Sequence, residues 1–245
     1  MMTRITCIMA TLLLAVSCQA CGKESNAFVQ PEDGREEPQN TGKVELLYMG
    51  QASIRIVTET GRVIYIDPFA GSQYNLAADL ILVTHEHYDH NKVSLIGKRN
   101  DGCRIILAKD AVVDGEHKTF DLGWVKVEAV EAGFNRYHDV RSCVGYVLTF
   151  TNGKKVYVSG DTSITDQMSR MSEMHIDYAF LCTDGYFNMG NEEAARAARM
   201  IQAKHNIPYH NDTSGQGEMF DRDAAEAFDA PNKMIVLPGE SINIE

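Results

Sequence analysis

Short apolar runs, each ended by a glycine or a polar turn, follow one another through the first half of the chain after residue 43. Runs rich in β-branched and aromatic residues predict strands at 44–49, 52–58 and 62–66. The run at 80–84 is more continuously apolar, as in a strand buried on both faces. Further strands are predicted at 104–108, 125–130, 145–150 and 155–159, the last two joined by an Asn-Gly hairpin turn.

The pattern changes in the second half, where helical spacing appears between strands. Asn191 is the predicted N-cap of a helix whose first turn holds two glutamates and whose apolar stripe is Ala194, Ala197, Ala198 and Ile201. Strands are predicted at 176–181 and 234–237, and a second helix at 221–228. Strands alternating with helices in this way indicate sheets covered by helices.

The N-terminus has the pattern of an export signal. Arg4 precedes an apolar run at 8–16, which is much shorter than the ~20 residues of a membrane-spanning helix. Small residues before Cys18 predict a lipoprotein-type signal peptide at 1–18, with Cys18 as the lipid-bearing N-terminus. Ordinary cleavage after Ala20 is the alternative, and both predict an exported protein of the periplasm or cell envelope.

Two further segments follow the signal. Residues 19–42 are rich in Glu, Asn, Gln and Pro and contain few apolar residues, so they cannot bury enough surface to fold and are predicted to be a flexible tether. Residues 43–245 form the expected globular domain.

The composition of the chain argues against two classes of function. Lys plus Arg number 23 against 34 Asp plus Glu, a formal charge of −11, and such a surface repels nucleic acid. The six cysteines contain no pair of Cys-x-x-Cys motifs, which excludes a zinc ribbon. We therefore expect a small-molecule substrate, no nucleic-acid partner, and membrane contact only through a lipid at Cys18.

The candidate chemistry is concentrated in residues 84–91, Thr-His-Glu-His-Tyr-Asp-His-Asn, directly after a predicted buried strand. Loops at strand ends present ligands from a rigid scaffold. His85 and His87 can bind one metal ion, while Asp89 and His90 can face a second, since imidazole and carboxylate suit zinc and its neighbours.

Other ligands must come from elsewhere in the chain. Asp161 follows the predicted strand 155–159, and its two oxygens can bridge two cations. His205 and His210 compete for a late ligand position. His205 falls in the tail of the predicted helix, whereas His210 ends a short strand and is preferred.

These residues resemble those of the metallo-β-lactamase superfamily: His85-x-His87-x-Asp89-His90, then Gly160-Asp161-Thr162, then the late His210. The resemblance implies an α+β fold, a four-layer αββα sandwich, with a dinuclear metal site at the sheet edges. Shorter segments, including 50–53, 66–68 and 184–189, resemble the branch related to L-ascorbate-6-phosphate lactonase.

The resemblance also assigns roles that the motif alone leaves open. The third ligand of the first metal is expected between Glu131 and His138, where His138 is preferred to Asn135 because imidazole binds these metals better than an amide. Asn135 is then an outer or substrate contact, and Asp67 is expected to orient a ligating histidine. The chain departs from the branch at Gln51, where His is usual, and at Cys182, where Pro is usual.

The resulting expectation is a hydrolase with two divalent metal ions, zinc first and manganese or iron as alternatives. A water bridging the ions would be deprotonated near neutral pH and attack an ester, lactone or phosphodiester-type substrate, with Asp89 or His210 moving the proton to the leaving group. The alternative is a catalytically idle lipoprotein of the same fold that binds metal or a partner, suggested by Gln51 and by the choice between His138 and Asn135.

Overall fold

Two six-stranded sheets form the centre of the computed structural model, which describes residues 42–214 and 219–245. The strands, in chain order, are β1 (Val44–Gly50), β2 (Ser53–Val57), β3 (Val63–Ile66), β4 (Ala78–Leu82), β5 (Arg99–Ile106), β6 (Val112–Val113), β7 (Glu116–His117), β8 (Thr119–Asp121), β9 (Val125–Glu131), β10 (Val144–Phe150), β11 (Lys155–Val158), β12 (Tyr178–Cys182), β13 (His205–Tyr209) and β14 (Ser241–Ile244).

Both sheets are mixed. The first has the order β14-β1-β2-β3-β4-β5, with β3, β4 and β5 parallel. The second has the order β13-β12-β11-β10-β9-β8, with β11, β12 and β13 parallel. β6 and β7 pair separately as a short hairpin.

The helices are fewer than the strands. They are α1 (Ala108–Ala111), α2 (Asn191–Ile201) and α3 (Arg222–Ala227), together with 3-10 helices at Val93–Leu95 and Asp166–Met174. Among the described residues, no helix is long and apolar enough to cross a membrane.

The main core lies between the sheets. Alternate residues of β1, such as Leu46 and Tyr48, join the same apolar cluster as Tyr146 and Leu148 of β10, because side chains on a strand point to opposite faces in turn. Leu47 belongs instead to a second cluster on the outer face of the first sheet.

The outer layers differ in thickness. On the second sheet, the alanine stripe of α2 and the methionines Met168 and Met171 of the 3-10 helix join the main core. On the first sheet, Val93 of a single 3-10 turn packs on the outer cluster, and Ile96, directly after the turn, belongs to that cluster. The predicted α+β sandwich of four layers, αββα, is confirmed, with a thin outer layer on the first sheet.

Three local predictions are wrong. Residues 234–237 form no strand, because only an isolated bridge joins Lys233 to Asn206 and the chain pairs again only at β14. Asn191 does not cap α2, since its side-chain amide donates to the carbonyl of Ala224 and Gly190 occupies the N-cap. His205 begins β13 rather than ending a helix, and its ring stacks on Tyr178.

The predictions for the N-terminus fall outside the described residues. They are the signal peptide at 1–18, the lipid on Cys18 and the tether at 19–42, of which only Gly42 is described. They stay predictions.

Candidate metal centre

The ends of parallel strands in both sheets meet at one place. Beyond the carboxyl end of β4 the chain supplies His85, His87, Asp89 and His90, and beyond β11 it supplies Asp161. β13 ends at Tyr209, directly before His210, whereas His138 comes from the loop between β9 and β10. Since carboxyl ends of parallel strands share an edge of their sheet, residues far apart in sequence come into contact.

Asp161 lies at the middle of this cluster with its two oxygens facing different histidines. Its Oδ2 is 3.3 Å from Nε2 of His138 and 3.9 Å from Nε2 of His85. Its Oδ1 is 3.4 Å from Nε2 of His90 and 3.3 Å from Nε2 of His210. Each oxygen of Asp161 therefore faces its own pair of imidazole nitrogens.

The possible ligand atoms fall into groups around Asp161. His85, His87 and His138 form one group, His85, His90 and Asp161 another, and Asp89, His90 and His210 a third, with the ligand atoms of each group within 4.8 Å of one another. All seven predicted ligands are therefore brought together, and two of the groups lie on opposite oxygens of Asp161.

Several buried polar atoms of the cluster have no hydrogen-bond partner. They are Nε2 of His85, His90 and His138, and Oδ1 of Asp161. A buried polar atom without a partner costs free energy, so such atoms are rare unless they bind something else. These four atoms lie around Asp161 without hydrogen bonds, and such an arrangement fits bound metal ions.

Asp67 fixes the orientation of two of these histidines. Its Oδ2 is 2.8 Å from Nδ1 of His90 and accepts a hydrogen bond from the hydroxyl of Thr84. Its Oδ1 accepts a hydrogen bond from the backbone N–H of Thr84. The same hydroxyl is 3.2 Å from Nδ1 of His85. With both Nδ1 atoms acting as donors, the Nε2 lone pairs of His85 and His90 are left for a metal.

Asn135 does the same for His138. Its side-chain oxygen is 3.1 Å from Nδ1 of His138 and accepts the backbone N–H of the same residue, whereas Nε2 of His138 faces Asp161. This arrangement favours His138 as the ligand and Asn135 as its support.

Glycine is required where Asp161 enters the site. Gly160 has φ +61°, and a Cβ there would lie 2.8 Å from the carbonyl of Val144 and 2.9 Å from Cβ of Thr84. The chain therefore passes closer to the Val144 carbonyl and the Thr84 side chain than any side chain at position 160 permits.

Three other residues of the site have a strained backbone. Gln51, Asp67 and His210 have φ values of +49°, +45° and +43°. Non-glycine residues rarely adopt this left-handed conformation, which is concentrated at functional sites. Local sequence patterns do not reveal this strain.

The electrostatics of the cluster favour cations. Burial lowers the pKa of His85 and His87, so both rings are neutral near pH 7. Burial would raise the pKa of Asp161, but the nearby rings of His210 and His90 outweigh it and hold that pKa well below its usual range. Neutral imidazole and ionised carboxylate are the forms that bind metal.

His90 and His210 have the opposite shift. Burial would lower their pKa values, but the neighbouring carboxylates together outweigh burial, Asp161 with Asp67 at His90 and Asp161 with Asp89 at His210, and the pKa values rise. Without metal, protons on these rings balance the carboxylates. A divalent cation would take over that role.

Gln51 occupies the side of the cluster formed by Asp89 and His210. Its Nε2 is 3.1 Å from Oδ2 of Asp89 and 3.1 Å from Nε2 of His210, while its Oε1 is buried without a partner. The side chain therefore contacts two of the predicted ligands directly.

Asp184 is a site residue to which the sequence assigned no role. Its side chain is fully buried, and Oδ2 lies 3.6 Å from Nδ1 of His210. Oδ1 accepts the backbone N–H groups of Tyr186 and Phe187. Asp184 therefore connects a predicted ligand to an exposed aromatic loop. Like Asp161 it lies within three residues of the end of a parallel strand, the one signal that could have found it.

A cavity of about 370 Å³ opens over the cluster. It is lined by His87, Tyr88, Asp89, Tyr137, His138, Asp161, Phe187 and His210. The volume suits a small molecule. Arg136 stacks on Tyr137 with its guanidinium 4.4 Å from the ring centroid, and Arg141 pairs with Asp139 outside the cavity.

The cysteines described here have no role in this site. Cys103, Cys143 and Cys182 are free thiols. Burial raises the pKa of Cys143 to about 12 and raises that of Cys182, so neither thiol is a thiolate near neutral pH. Cys182 is a buried apolar residue at the end of β12.

Comparison with known proteins agrees with this geometry. The family model of the beta-lactamase superfamily domain matches residues 45–210. A UPF0173 metal-dependent hydrolase of Bacillus velezensis is 31% identical over 229 residues, which cover 82% of this chain and 100% of that protein. One of Pyrococcus furiosus is 29% identical over 232 residues, with 82% and 100% covered. The chain therefore belongs to the beta-lactamase superfamily and, within it, to the UPF0173 metal-dependent hydrolases.

A solved structure shows the same fold. Igni18, a metallo hydrolase of Ignicoccus hospitalis, superposes with a TM-score of 0.64 at 21% identity, covering 83% of this chain and 99% of that one. The match of the family model confirms the predicted superfamily. The narrower resemblance to the L-ascorbate-6-phosphate lactonase branch stays a prediction.

Proposed function

We propose that this metal-dependent hydrolase uses two divalent cations, zinc first among them, to open a small ester, lactone or phosphodiester-type substrate. The observation that carries the proposal is Asp161, whose two oxygens face two separate sets of imidazole nitrogens. His85, His87 and His138 would hold one cation, and Asp89, His90 and His210 the other, with Asp161 between them.

The bound cations would supply a water activated near neutral pH and would polarise the oxygen of the attacked carbonyl or phosphoryl group. The chain supplies orientation. Asp67 and Asn135 hold the rings of His90 and His138 with Nε2 directed inward. Substrate enters through the cavity that Tyr88 and Phe187 line.

Asp89 is the group best placed to move a proton. Its side chain is 18% exposed, against 4% for Asp161, so it reaches the cavity while remaining beside the cluster. Its Oδ2 is 3.7 Å from Nε2 of His210. A proton taken up at this carboxylate can pass to the leaving group, with His210 as the neighbouring polar group.

Metal analysis of the purified chain, with a hydrolysis screen on the same samples, tests the proposal. We expect about two equivalents of metal and hydrolysis that stops on chelation and returns with metal. Asp161→Ala should lower both metal content and rate, whereas Asp223→Ala, on the exposed surface of α3, should change neither. Full metal content with no hydrolysis of any substrate class would favour the idle binding protein.

Two variants test whether His138 or Asn135 is the metal ligand. His138→Ala should remove metal from the chain, and Asn135→Ala should weaken binding less, because Asn135 only orients the ring. The reverse order of effects would make Asn135 the ligand.

We also propose export to the periplasm or cell envelope, with a lipid on Cys18. The proposal is supported by the charged and apolar pattern of residues 1–18. Fractionation of cells that produce the wild-type chain or Cys18→Ala tests it. Release of the variant alone from the membrane fraction is expected, and wild-type protein in the cytosol would contradict export.

A further inference from the structure

Beyond the proposed ligands, the cavity has an aromatic lining. Tyr88, Tyr137 and Phe187 all border it. Tyr186 adjoins two of them, with its ring 4.6 Å from that of Phe187 and 6.1 Å from that of Tyr137. One part of the cavity is therefore lined by the possible metal ligands, and the rest is lined by aromatic rings.

These rings are unusually exposed. Tyr88 is 74% exposed, Tyr186 62% and Phe187 41%, and they make up half of the large exposed apolar residues in the described part of the chain. Apolar surface left in water costs free energy, so exposed apolar residues grouped at one cavity mark a binding surface.

The aromatic wall, formed by Tyr137, Tyr186 and Phe187, is held in place before any ligand binds. The ring centroids of Tyr137 and Phe187 are 5.0 Å apart, with the ring planes at 67°. The guanidinium of Arg136 stacks on the ring of Tyr137. The buried Asp184 carboxylate fixes the backbone N–H groups of Tyr186 and Phe187. Little conformational entropy is then lost on binding.

The charge of the cavity restricts what it accepts. No lysine or arginine is among the described residues that line it. Arg136 is stacked on a tyrosine, and Arg141 is paired with Asp139. A phosphate or carboxylate tail on the substrate would find no cation here apart from the metal ions.

From these observations we propose that the substrate carries an uncharged aryl group beside the bond that is hydrolysed, and that this ring packs against Tyr137 and Phe187. Two rings at 67° offer one face for offset stacking and one edge for a perpendicular contact, the two arrangements that aromatic pairs prefer. The proposal rests on the hydrolase function above, since the metal ions position the scissile group.

Two phosphonates that cannot be hydrolysed test the subsite by calorimetry on the metal-loaded full chain. Phenylphosphonate and methylphosphonate present the same anion to the metal ions and differ in the ring. We expect phenylphosphonate to bind about 10-fold more tightly. Phe187→Ala should remove most of that preference and leave the affinity for methylphosphonate unchanged, while Phe187→Tyr should retain it.

Leu95→Ala is the matched control. Leu95 is 41% exposed, as Phe187 is, but does not border the cavity, so its substitution should leave both affinities unchanged. Equal binding of the two phosphonates, or tighter binding of hexylphosphonate than of phenylphosphonate, would overturn the aryl subsite.

The two proposals can fail separately. Two bound metal ions with no preference for the phenyl group would contradict only the subsite. A chain that binds no metal, or that binds two ions and hydrolyses neither aryl nor alkyl substrates, would contradict the hydrolase function.

Discussion

Asp67 uses both carboxylate oxygens on Thr84 and His90, and through the Thr84 hydroxyl it also reaches His85. His85 and His90 lie in different ligand groups. A single buried carboxylate therefore sets the ring orientation on both sides of Asp161.

Replacing Asp67 should consequently affect both metal sites. We expect Asp67→Ala to lower metal affinity by roughly 10- to 100-fold, the usual effect of removing a group that orients a ligand. Competition with a chromogenic chelator measures it, and Asp121→Ala on the exposed β8 is the control. An affinity unchanged from wild type would show that the rings keep their orientation without Asp67.

Gln51 gives a prediction of the opposite sign. Its amide nitrogen contacts both Oδ2 of Asp89 and Nε2 of His210, so a cation bound by those two atoms must displace it. We expect Gln51→Ala to bind the second equivalent of metal several-fold more tightly and the first equivalent unchanged, as measured by titration calorimetry. Weaker binding of the second equivalent would instead make the amide oxygen of Gln51 a ligand.

Residues close together in sequence were the easier part of the site to predict. His85, His87, Asp89 and His90 fall within one loop, so their spacing alone indicates metal binding. The contacts of Gln51 and the role of Asp184 depend on how β1 and β12 lie beside the ends of other strands, and local spacing contains no such information.

At the level of elements, the turn after β11 is tightly constrained. A methyl group at Gly160 would meet the Val144 carbonyl and the Thr84 side chain, and the φ of +61° disfavours any side chain.

We therefore expect Gly160→Ala to lower the free energy of unfolding by about 1–3 kcal/mol and to reduce metal content. Denaturant unfolding and metal analysis measure the two effects. Gly153→Ala in the β10–β11 turn is the control: its φ is +81°, but no atom lies near its Cβ, so stability alone should fall.

The strands were predictable because apolar runs have a local signature, and β1, β4 and β10 appear within a few residues of their expected bounds. The apolar run at 234–237 misled for the same reason. A buried segment is apolar whether or not it pairs with a neighbouring strand. Here the only pairing among the described residues is the isolated bridge between Asn206 and Lys233.

The whole molecule is organised so that the metal site joins its two sheets. His85 and His90 follow β4 of the first sheet, and Asp161 and His210 follow β11 and β13 of the second. Ions held by both sets would connect the sheets at their common edge.

Removing metal should therefore lower the stability of the whole domain. At a metal concentration 100 times Kd, binding adds about 2.7 kcal/mol, which corresponds to a fall in Tm of roughly 5–11 °C on chelation. Scanning calorimetry with and without chelator measures the shift. Asp161→Ala should show little shift, and an equal shift in that variant would place the stabilising ion elsewhere.

The distribution of the ligands along the chain also has a consequence for the order of folding. From His85 to His210 they are supplied by segments that are brought together only when both sheets have formed and packed. Contacts between residues so far apart in sequence form late, because the intervening chain must first lose its freedom. Tight metal uptake during refolding would therefore mark the final docking of the two sheets, and its rate would time that step.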